Sequence, residues 1–488
     1  LKSIFSHFKS DVFAGLIVFF VALPLCLGIA LACGAPLFSA IISGVIGGVV
    51  VGMISQSHVS VSGPAAGLTA IVVAAISSLG SYELFLTAVV LAGILQLILG
   101  LLKAGNISNY FPSNVIEGML TGIGIIIILK QTTHVFHPGA WIICIVSIGI
   151  LIAYQQVPAL KRIKVFPGEL VVVIIGILLN QYFIATDAGF KIQNDQLVNL
   201  PVMANPADIW SNLFQPDFSG WRNTNVWVTG ITIAIVASIE SLLCLEAAEK
   251  LDPLKRFAGS NRELAAQGIG NILSGLLGGL PMSSVIVRTS ANVSSGAKTK
   301  VSAITHGILL LLAVIFIPAF INRIPLASLA AILIMIGYRL AKPMIFVEYW
   351  KRGKYQFIPF IVTVMAVAFA DLLKGVAIGM IVSVIFILKA NMKVAYFLHK
   401  EELPTGLKFT LRLAQEVSFL NKAVIKQMLM RLPKKCSVTI DASETQYIDY
   451  DVLMLIHEFS EFSSKEKNIL VELKGFKESY KIDRTLSH

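Results

Sequence analysis

Arg288 stands in the stretch Leu280 to Gly296, LPMSSVIVRTSANVSSG, behind an apolar, glycine-rich run. A guanidinium and several hydroxyls at bilayer depth cost several kcal/mol unless they face protein or water, and non-helical backbone at that depth has to line a cavity. The alternation of Ser284, Ile286 and Arg288 reads as a strand over Ser283 to Arg288, with small polar residues opening a short helix at Thr289. An earlier stretch matches it. Ser57 to Ser62 (SHVSVS) suits a strand, Gly63-Pro64 follows, and Pro64 fits the first position of a helix too short to cross alone, ending near Leu79. Two such half-helices facing each other at mid-membrane present unpaired N–H groups and about half a positive charge each. That is an anion receptor made of backbone. The candidate ligands are Gly63, Pro64, Ala65 and Ala66 on the first half-helix and Thr289, Ser290 and Ala291 on the second, with Arg288 adding a full charge.

Glu240, in ASIESLLCLEAAEK, is an acid with apolar neighbours on both sides. An intramembrane carboxylate is a functional candidate by default. It can hold Na⁺, carry a co-transported proton, or pair with Arg288. Glu246 and Glu249 lie toward the solvated end of the same helix, and Glu117 with Asn114 is a weaker candidate. Nothing points to an enzyme. No Ser/His/Asp constellation is present, the glycines at Gly275, Gly278 and Gly279 lack a following Lys-Ser/Thr, and His58, His134 and His137 read as structural or loop residues. The five cysteines, Cys26, Cys33, Cys144, Cys244 and Cys436, are scattered, without zinc spacing or a disulfide framework. No cofactor is expected beyond H⁺ or Na⁺ as coupling ion.

The elements that must position these residues belong to lipid. The 488 residues are 56% hydrophobic and only 14% charged, with mean hydropathy +0.79, outside the soluble globular range. Apolar runs recur from Asp11 to about Asn391. The net charge of +11 gathers at the ends of those runs, so it argues for membrane topology and against nucleic acid. The first repeat, about 11–184, reads as spans Asp11–Ala32 (interrupted at Pro24), Phe38–Ile54, the half-helix, Glu83–Leu102, Asn114–Leu129, Trp141–Tyr154 and Gly168–Ile184. The second, about 226–393, reads as Val226–Ala248, Leu264–Leu280, the Arg288 element, Ala303–Ala319, Leu326–Tyr338, Gln356–Ala370 and Gly375–Lys393. Seven is odd, so the repeats face opposite ways, as in inverted-repeat transporters. The acidic connection Ala185–Asn225 is placed outside, which leaves Lys103, Lys161, Arg162, Lys164, Lys250, Lys255, Arg256, Arg262 and Lys342 in the cytoplasm with both termini; Lys130, Arg323 and Lys374 fall on the other side. A basic amphipathic start, Lys2 to Lys9 with Ile4, Phe5 and Phe8 on one face, is expected at the lipid interface.

The transmembrane domain is bounded at 1–397 and a short α/β domain at 408–488. In the latter, Lys408–Leu413, Ser437–Ile440 and Asn468–Leu473 read as strands, and Leu420–Leu432 and Asp449–Phe462 as helices.

Four stretches, VALPLCLGIALACGAP, VSVSGPAAGL, SIESLLCLEAAEKLDP and IVRTSANVSSGAKTK, resemble the SulP sulfate-permease family of anion transporters, and the tail looks like a STAS domain. The resemblance implies fourteen spans arranged as core and gate, a small inorganic anion bound between spans 3 and 10, elevator-like alternating access in the cell (inner) membrane, and a homodimer. By position, the tenth-span arginine of the family maps to Arg288 and the eighth-span acid to Glu240. The sodium-coupled bicarbonate branch has hydroxyl residues near that acid, whereas this chain has Cys244 one turn on. Ser443 takes the place of the serine modified in anti-sigma antagonists; a docking or assembly role with a cytoplasmic protein partner is preferred for the tail. A sulfate- or bicarbonate-class transporter is the leading reading. A chloride/bicarbonate-type exchanger, a nucleobase symporter on a similar fold and a membrane-anchored regulatory module stay open.

Overall fold

The computed structural model describes residues 7–105, 111–136, 139–161, 166–186, 192, 194–202, 213–370, 372–393, 395–403 and 406–477. Ile4 and Phe5, His137, Arg162, Lys164, Asp187, Lys191, Asp208 and the end beyond 477 lie outside them, as does the side chain of His134. The chain divides into two compact units, Leu1–Lys351 with Phe360–Met380, and Arg352–Pro359 with Ile381–His488.

The first unit is helical and repeats a seven-element pattern. One set comprises α1 (Phe8–Cys33), α2 (Leu37–Ile46, extended to Ile54), strand β1 (Ser62–Pro64) with α3 (Thr69–Leu79), α4 (Tyr82–Leu101), α5 (Ser113–Val135), α6 (Ala140–Gln156) and α7 (Gly168–Ala185). The other comprises α8 (Thr224–Leu251), α9 (Ser260–Leu276), β2 (Met282–Ser284) with α10 (Ile286–Ser294), α11 (Val301–Phe316), α12 (Leu326–Leu340), α13 (Lys354–Phe369) and α14 (Leu372–Lys393), the last two shared with the second unit. Among the described residues, seven helical stretches are long and apolar enough to cross a membrane by themselves. Packing repeats as well. Helix α4 lies on α8 and α9, and α11 lies on α1 and α2, so each set lends its fourth helix to the opening helices of the other.

Glycine sets these distances. A Cβ at Gly93 would come within 2.5 Å of the Ile272 backbone nitrogen, and one at Gly268 within 2.6 Å of that of Leu97, so α4 and α9 meet at backbone contact. Gly48 meets Gly307 of α11 in the same way, at 2.7 Å. Helix α2 contains a π-turn, Gly47–Val51, and a Cβ at Gly47 would lie 2.5 Å from the Ser62 carbonyl oxygen. The π-turn thereby lets β1 pass against α2.

One expected break is absent. α1 runs as helix through Pro24, which is buried. A proline inside a packed membrane helix is tolerated where neighbouring protein surrounds the freed carbonyl. The helix stops instead at Gly34, φ +64°, where Ala35 N–H donates to the Ala30 carbonyl at 3.0 Å.

The tail of the second unit is a four-stranded sheet in the order β3 (Tyr396–Leu403), β4 (Gly406–Leu413), β6 (Ser437–Asp441), β8 (Leu470–Lys474). β3 pairs antiparallel with β4, while β4–β6 and β6–β8 are parallel. Helices α15 (Lys422–Met430) and α16 (Tyr450–Glu458) contribute Ile425, Leu429, Val452 and Ile456 to a core with Leu411, Val438 and Ile440. A two-residue parallel pair, β5 (Glu416–Val417) with β7 (Tyr447–Ile448), completes it. The sheet takes in Tyr396–Leu403, which the expected start at 408 leaves out. That strand carries Lys400, Glu401 and Glu402 and sits on an edge, so it lacks the apolar alternation of a covered strand.

Candidate functional site

Strands β1 and β2 pair antiparallel, with Ser62 opposite Ser284, Gly63 opposite Ser283 and Pro64 opposite Met282. Each strand runs straight into its half-helix, so the two helix starts flank one crossing. The register is held from outside. Val285 N–H donates to the Val61 carbonyl at 3.0 Å, and Asn292 Nδ2 donates to the Val59 carbonyl at 2.9 Å. Val61 N–H donates to the Thr289 hydroxyl at 3.1 Å.

Both helix starts differ from the expected ones. Pro64 belongs to β1; the first half-helix begins as a 3₁₀ turn at Ala66–Leu68, capped by Ala65, before α3. The second begins at Ile286, capped by Val285, so Arg288 is in its first turn and not at the end of a strand. Thr289 is then too far along: its N–H donates to the Val285 carbonyl at 3.0 Å, and its hydroxyl is engaged by Val61. Ser290 and Ala291 sit in the following turn. The first-turn N–H groups, left over at any helix start, are those of Ile286, Val287 and Arg288. β-branched residues at 285–287 suggested a strand and hid the helix start.

Arg288 is fully buried. Its Nη2 donates to the Pro64 carbonyl and to the Cys26 sulfur, each at 3.3 Å, while Nε and Nη1 have no partner. A Cβ at Gly63 would collide with Nη1, so a side chain there would have to displace the guanidinium. Glu240 reaches the crossing from α8. A Cβ on Gly67 would stand 2.6 Å from its Oε1, which puts the carboxyl group against the first turn of the first half-helix. Ser283 faces it, and Oε2 has no partner. Arg288 and Glu240 make no ion pair; of the three readings of Glu240, pairing with Arg288 is the one this geometry does not support, because each charge is seated on a different glycine.

A buried polar ladder behind the strands carries no mark of its own in a motif. On α9, Glu263, Gln267, Asn271 and Ser274 recur at helical spacing on one face. Asn271 grips Met282 at both ends, Oδ1 accepting from its N–H at 2.7 Å and Nδ2 donating to its carbonyl at 3.1 Å. Gln267 donates to the Ser62 hydroxyl at 2.7 Å, and Ser274 to the Leu280 carbonyl at 2.6 Å. From α4, Gln96 accepts from Asn271 at 2.7 Å and donates to Ser238 at 3.2 Å. The signal was a polar stripe at period 3.6 inside a glycine-rich span. Gly67 was likewise missed, since in sequence it is one small residue among several.

A cavity of about 500 Å³ reaches α10 at Ile286, Val287, Ser290 and Ala291, walled on the far side by Tyr154 of α6, Glu169 of α7 and Arg339 of α12. Among the described residues, no group of three or more His, Cys, Asp and Glu is placed to hold a metal ion.

Two inverted sets of spans, interrupted at a pair of crossed half-helices, define a polytopic membrane protein of the transporter class rather than an enzyme. The chain belongs to the sulfate permease family, whose model matches residues 8–138 and 131–365. Among curated relatives it is 25% identical to the putative sulfate transporter YvdB of Bacillus subtilis (strain 168), over 81% of this chain and 76% of that one. It is also 25% identical to the bicarbonate transporter BicA of Picosynechococcus, over 68% of this chain and 62% of that one. Among solved structures, the transmembrane domain of a cyanobacterial bicarbonate transporter BicA aligns with TM-score 0.63 at 23% identity, covering 78% of this chain and 98% of that one. The murine Solute Carrier 26 family member A9 anion transporter in the inward-facing state aligns with TM-score 0.76 at 15% identity, over 97% and 86%. At those identities the structural likeness concerns the fold, and the tail of this chain is consistent with a STAS-like domain.

Proposed function

We propose that the protein is a secondary transporter of a small inorganic oxyanion of the sulfate or bicarbonate class, working by elevator-type alternating access in the cell membrane as a homodimer, with the tail and N-terminus cytoplasmic. The observation that carries the reading is Arg288: a fully buried guanidinium with two unpartnered N–H-bearing atoms, at the meeting of two helix starts. Buried charge without a partner is costly. An anion held there by Arg288 and by the first-turn N–H groups of Ile286 and Val287 removes that cost while bound. Glycine, proline and alanine at 63–66 leave room for it, and relatives named as sulfate and bicarbonate transporters support that substrate class.

The cavity between α10 and α6, α7 and α12 supports access from one side, through a gap between helices that α3 and α10 do not join. Glu240 serves as the coupling group. It is half-buried, its sequestered Oε2 is unpartnered, and its carboxyl group touches the first half-helix start at Gly67, so a proton or Na⁺ on Glu240 changes the field at the site without occupying the anion's place. Arg288 disfavours the nucleobase reading, which calls for acidic groups along a base edge.

The test is radiotracer uptake into proteoliposomes, with sulfate, bicarbonate, chloride and dicarboxylates as competitors, with and without Na⁺. Saturable uptake of sulfate or bicarbonate, lost on Arg288→Ala, is expected. Uptake that ignores Arg288→Ala would remove the arginine from the site, and a protein that moves none of these anions would end the reading.

A further inference from the structure

Two cations that run against the topological charge bias, Lys130 and Lys374, open one cavity at the end of the bundle where α1 and α3 finish. That cavity, about 530 Å³, lies between α3 and α8 on one side and α5, α13 and α14 on the other. Lys130 also lines a second cavity of about 610 Å³, which continues to the end of α1 at Cys33 and Gly34 and includes Ser77 of α3. Gln131, next to Lys130, is in the wall of this second cavity. Its side chain is fully buried, and neither Oε1 nor Nε2 has a partner.

A buried amide with both ends unmade is costly and calls for an explanation. A cation beside it, in a low-dielectric cleft, concentrates anions. We infer that Lys130, Gln131 and Ser77 form a second anion subsite, a waypoint on the path between the outer mouth and the Arg288 crossing. This rests on the transport reading and deepens it. The class of ligand is a small hydrated oxyanion: it accepts from Lys130 Nζ and from the Gln131 amide nitrogen, and its own hydroxyl or hydration water donates to the amide oxygen. The position fits a transit site. Helix α3 forms a wall of both cavities over residues 69–78, and the 3₁₀ turn that leads into it carries Gly67, against which Glu240 sits. One helix thus links the waypoint to the crossing. Lys130 is exposed, as a residue that meets ions arriving from water must be.

The inference is tested on the full-length protein in right-side-out and inside-out membrane vesicles, with radiolabelled sulfate and bicarbonate as probes. For Lys130→Gln, KM for uptake into right-side-out vesicles is expected to rise about 3–10-fold, with kcat held within about twofold. The difference from the unsubstituted protein should shrink as ionic strength increases from about 0.01 to 0.15 M, where the Debye length falls to about 8 Å. Lys130→Arg should restore KM. Gln131→Leu should raise KM without adding salt dependence, and Gln131→Glu, which keeps the size and adds a like charge to the anion, should raise it further. An unchanged KM in Lys130→Gln and Gln131→Glu would overturn the subsite while leaving transport intact. So would an equal rise measured in inside-out vesicles, the mark of a general disturbance. Absence of any flux in the unsubstituted protein would instead end the transport reading, and the subsite with it.

Discussion

The start of α3 and the start of α10 share one backbone plan, a short strand, a cap and a helix, yet they carry different chemistry. The first is built from Gly63, Pro64, Ala65, Ala66 and Gly67 and has no charge of its own; the second has Arg288 in its first turn. The acid at the first half-helix is Glu240, which comes from α8 of the other set. Both charges therefore belong to the second repeat, and both rest on glycines of the first, Arg288 on Gly63 and Glu240 on Gly67. An inverted repeat gives two matching helix starts. Function needs one of them stripped to backbone so that the other's side chains fit. Under the proposed function this division would separate duties, with anion recognition at Arg288 and coupling at Glu240.

The largest effect that can break this comparison is expected on the Arg288 side. Hydrogen bonds from a charged group are worth about 1.5–3 kcal/mol, so Arg288→Ala should lower kcat/KM for the anion about 10–100-fold. Gly63→Ala should do nearly as much without touching the arginine's chemistry, because the new Cβ takes the place of Nη1. Combining them should add little. A double variant whose loss is the product of the single losses would show that Gly63 and Arg288 act separately.

Next in size is the ladder behind the strands. Asn271→Ala leaves the Met282 N–H and carbonyl unpartnered, at about 1–3 kcal/mol. Thermal unfolding in detergent should fall by several degrees and flux by roughly tenfold, with Asn271→Asp keeping only the acceptor half of the clamp. A variant as stable and as active as the parent would mean that the crossing is rigid without α9.

Smaller in rate, and different in kind, is the effect on the Glu240 side. Glu240→Gln and Gly67→Ala should leave flux within about tenfold while flattening its dependence on pH and Na⁺, since the first removes the titrating group and the second pushes it off the helix start. If both variants keep the parent's dependence on both ions, the separation of duties is wrong.

How legible this was depends on scale. The spans, their odd number per repeat and the paired interruptions follow from apolar length and small-residue runs, and all are present. What failed lies within one or two residues of a helix start. Val285, Ile286 and Val287 favour a strand intrinsically, and only pairing with Val61 and the ladder on α9 fixes where the helix begins. Gly67 and Gln131 were invisible for the same reason. Their meaning is a steric clash avoided or a partner missing, and neither has a pattern along the chain. Pro24 shows the converse, a strong local signal overridden by packing. In the tail, β4, β6 and β8 followed from apolar alternation, while the charged edge strand β3 did not.

The smallest effect is expected where neither half-helix is involved, in the tail. Asp441 ends β6, and its carboxylate accepts from Ser443, including the backbone N–H at 2.9 Å, which holds it below the usual carboxylate range. Hydrogen bonds to the charged form lower a pKa, so the folded state binds this proton less readily than the unfolded chain. The sign follows: the contribution is complete above the unfolded value of about 3.9 and is lost as pH falls through the lower folded value. Amide hydrogen exchange in the turn after β6, measured on the full-length protein from pH 7 to pH 3, should show that loss in the parent and a flat profile in Asp441→Asn. Anion flux near neutral pH should be the same for both, because Asp441 is distant in sequence from every residue of the crossing. A change in flux on Asp441→Asn comparable to that on Glu240→Gln would move part of the coupling into the tail and break the assignment of that duty to the α3 side.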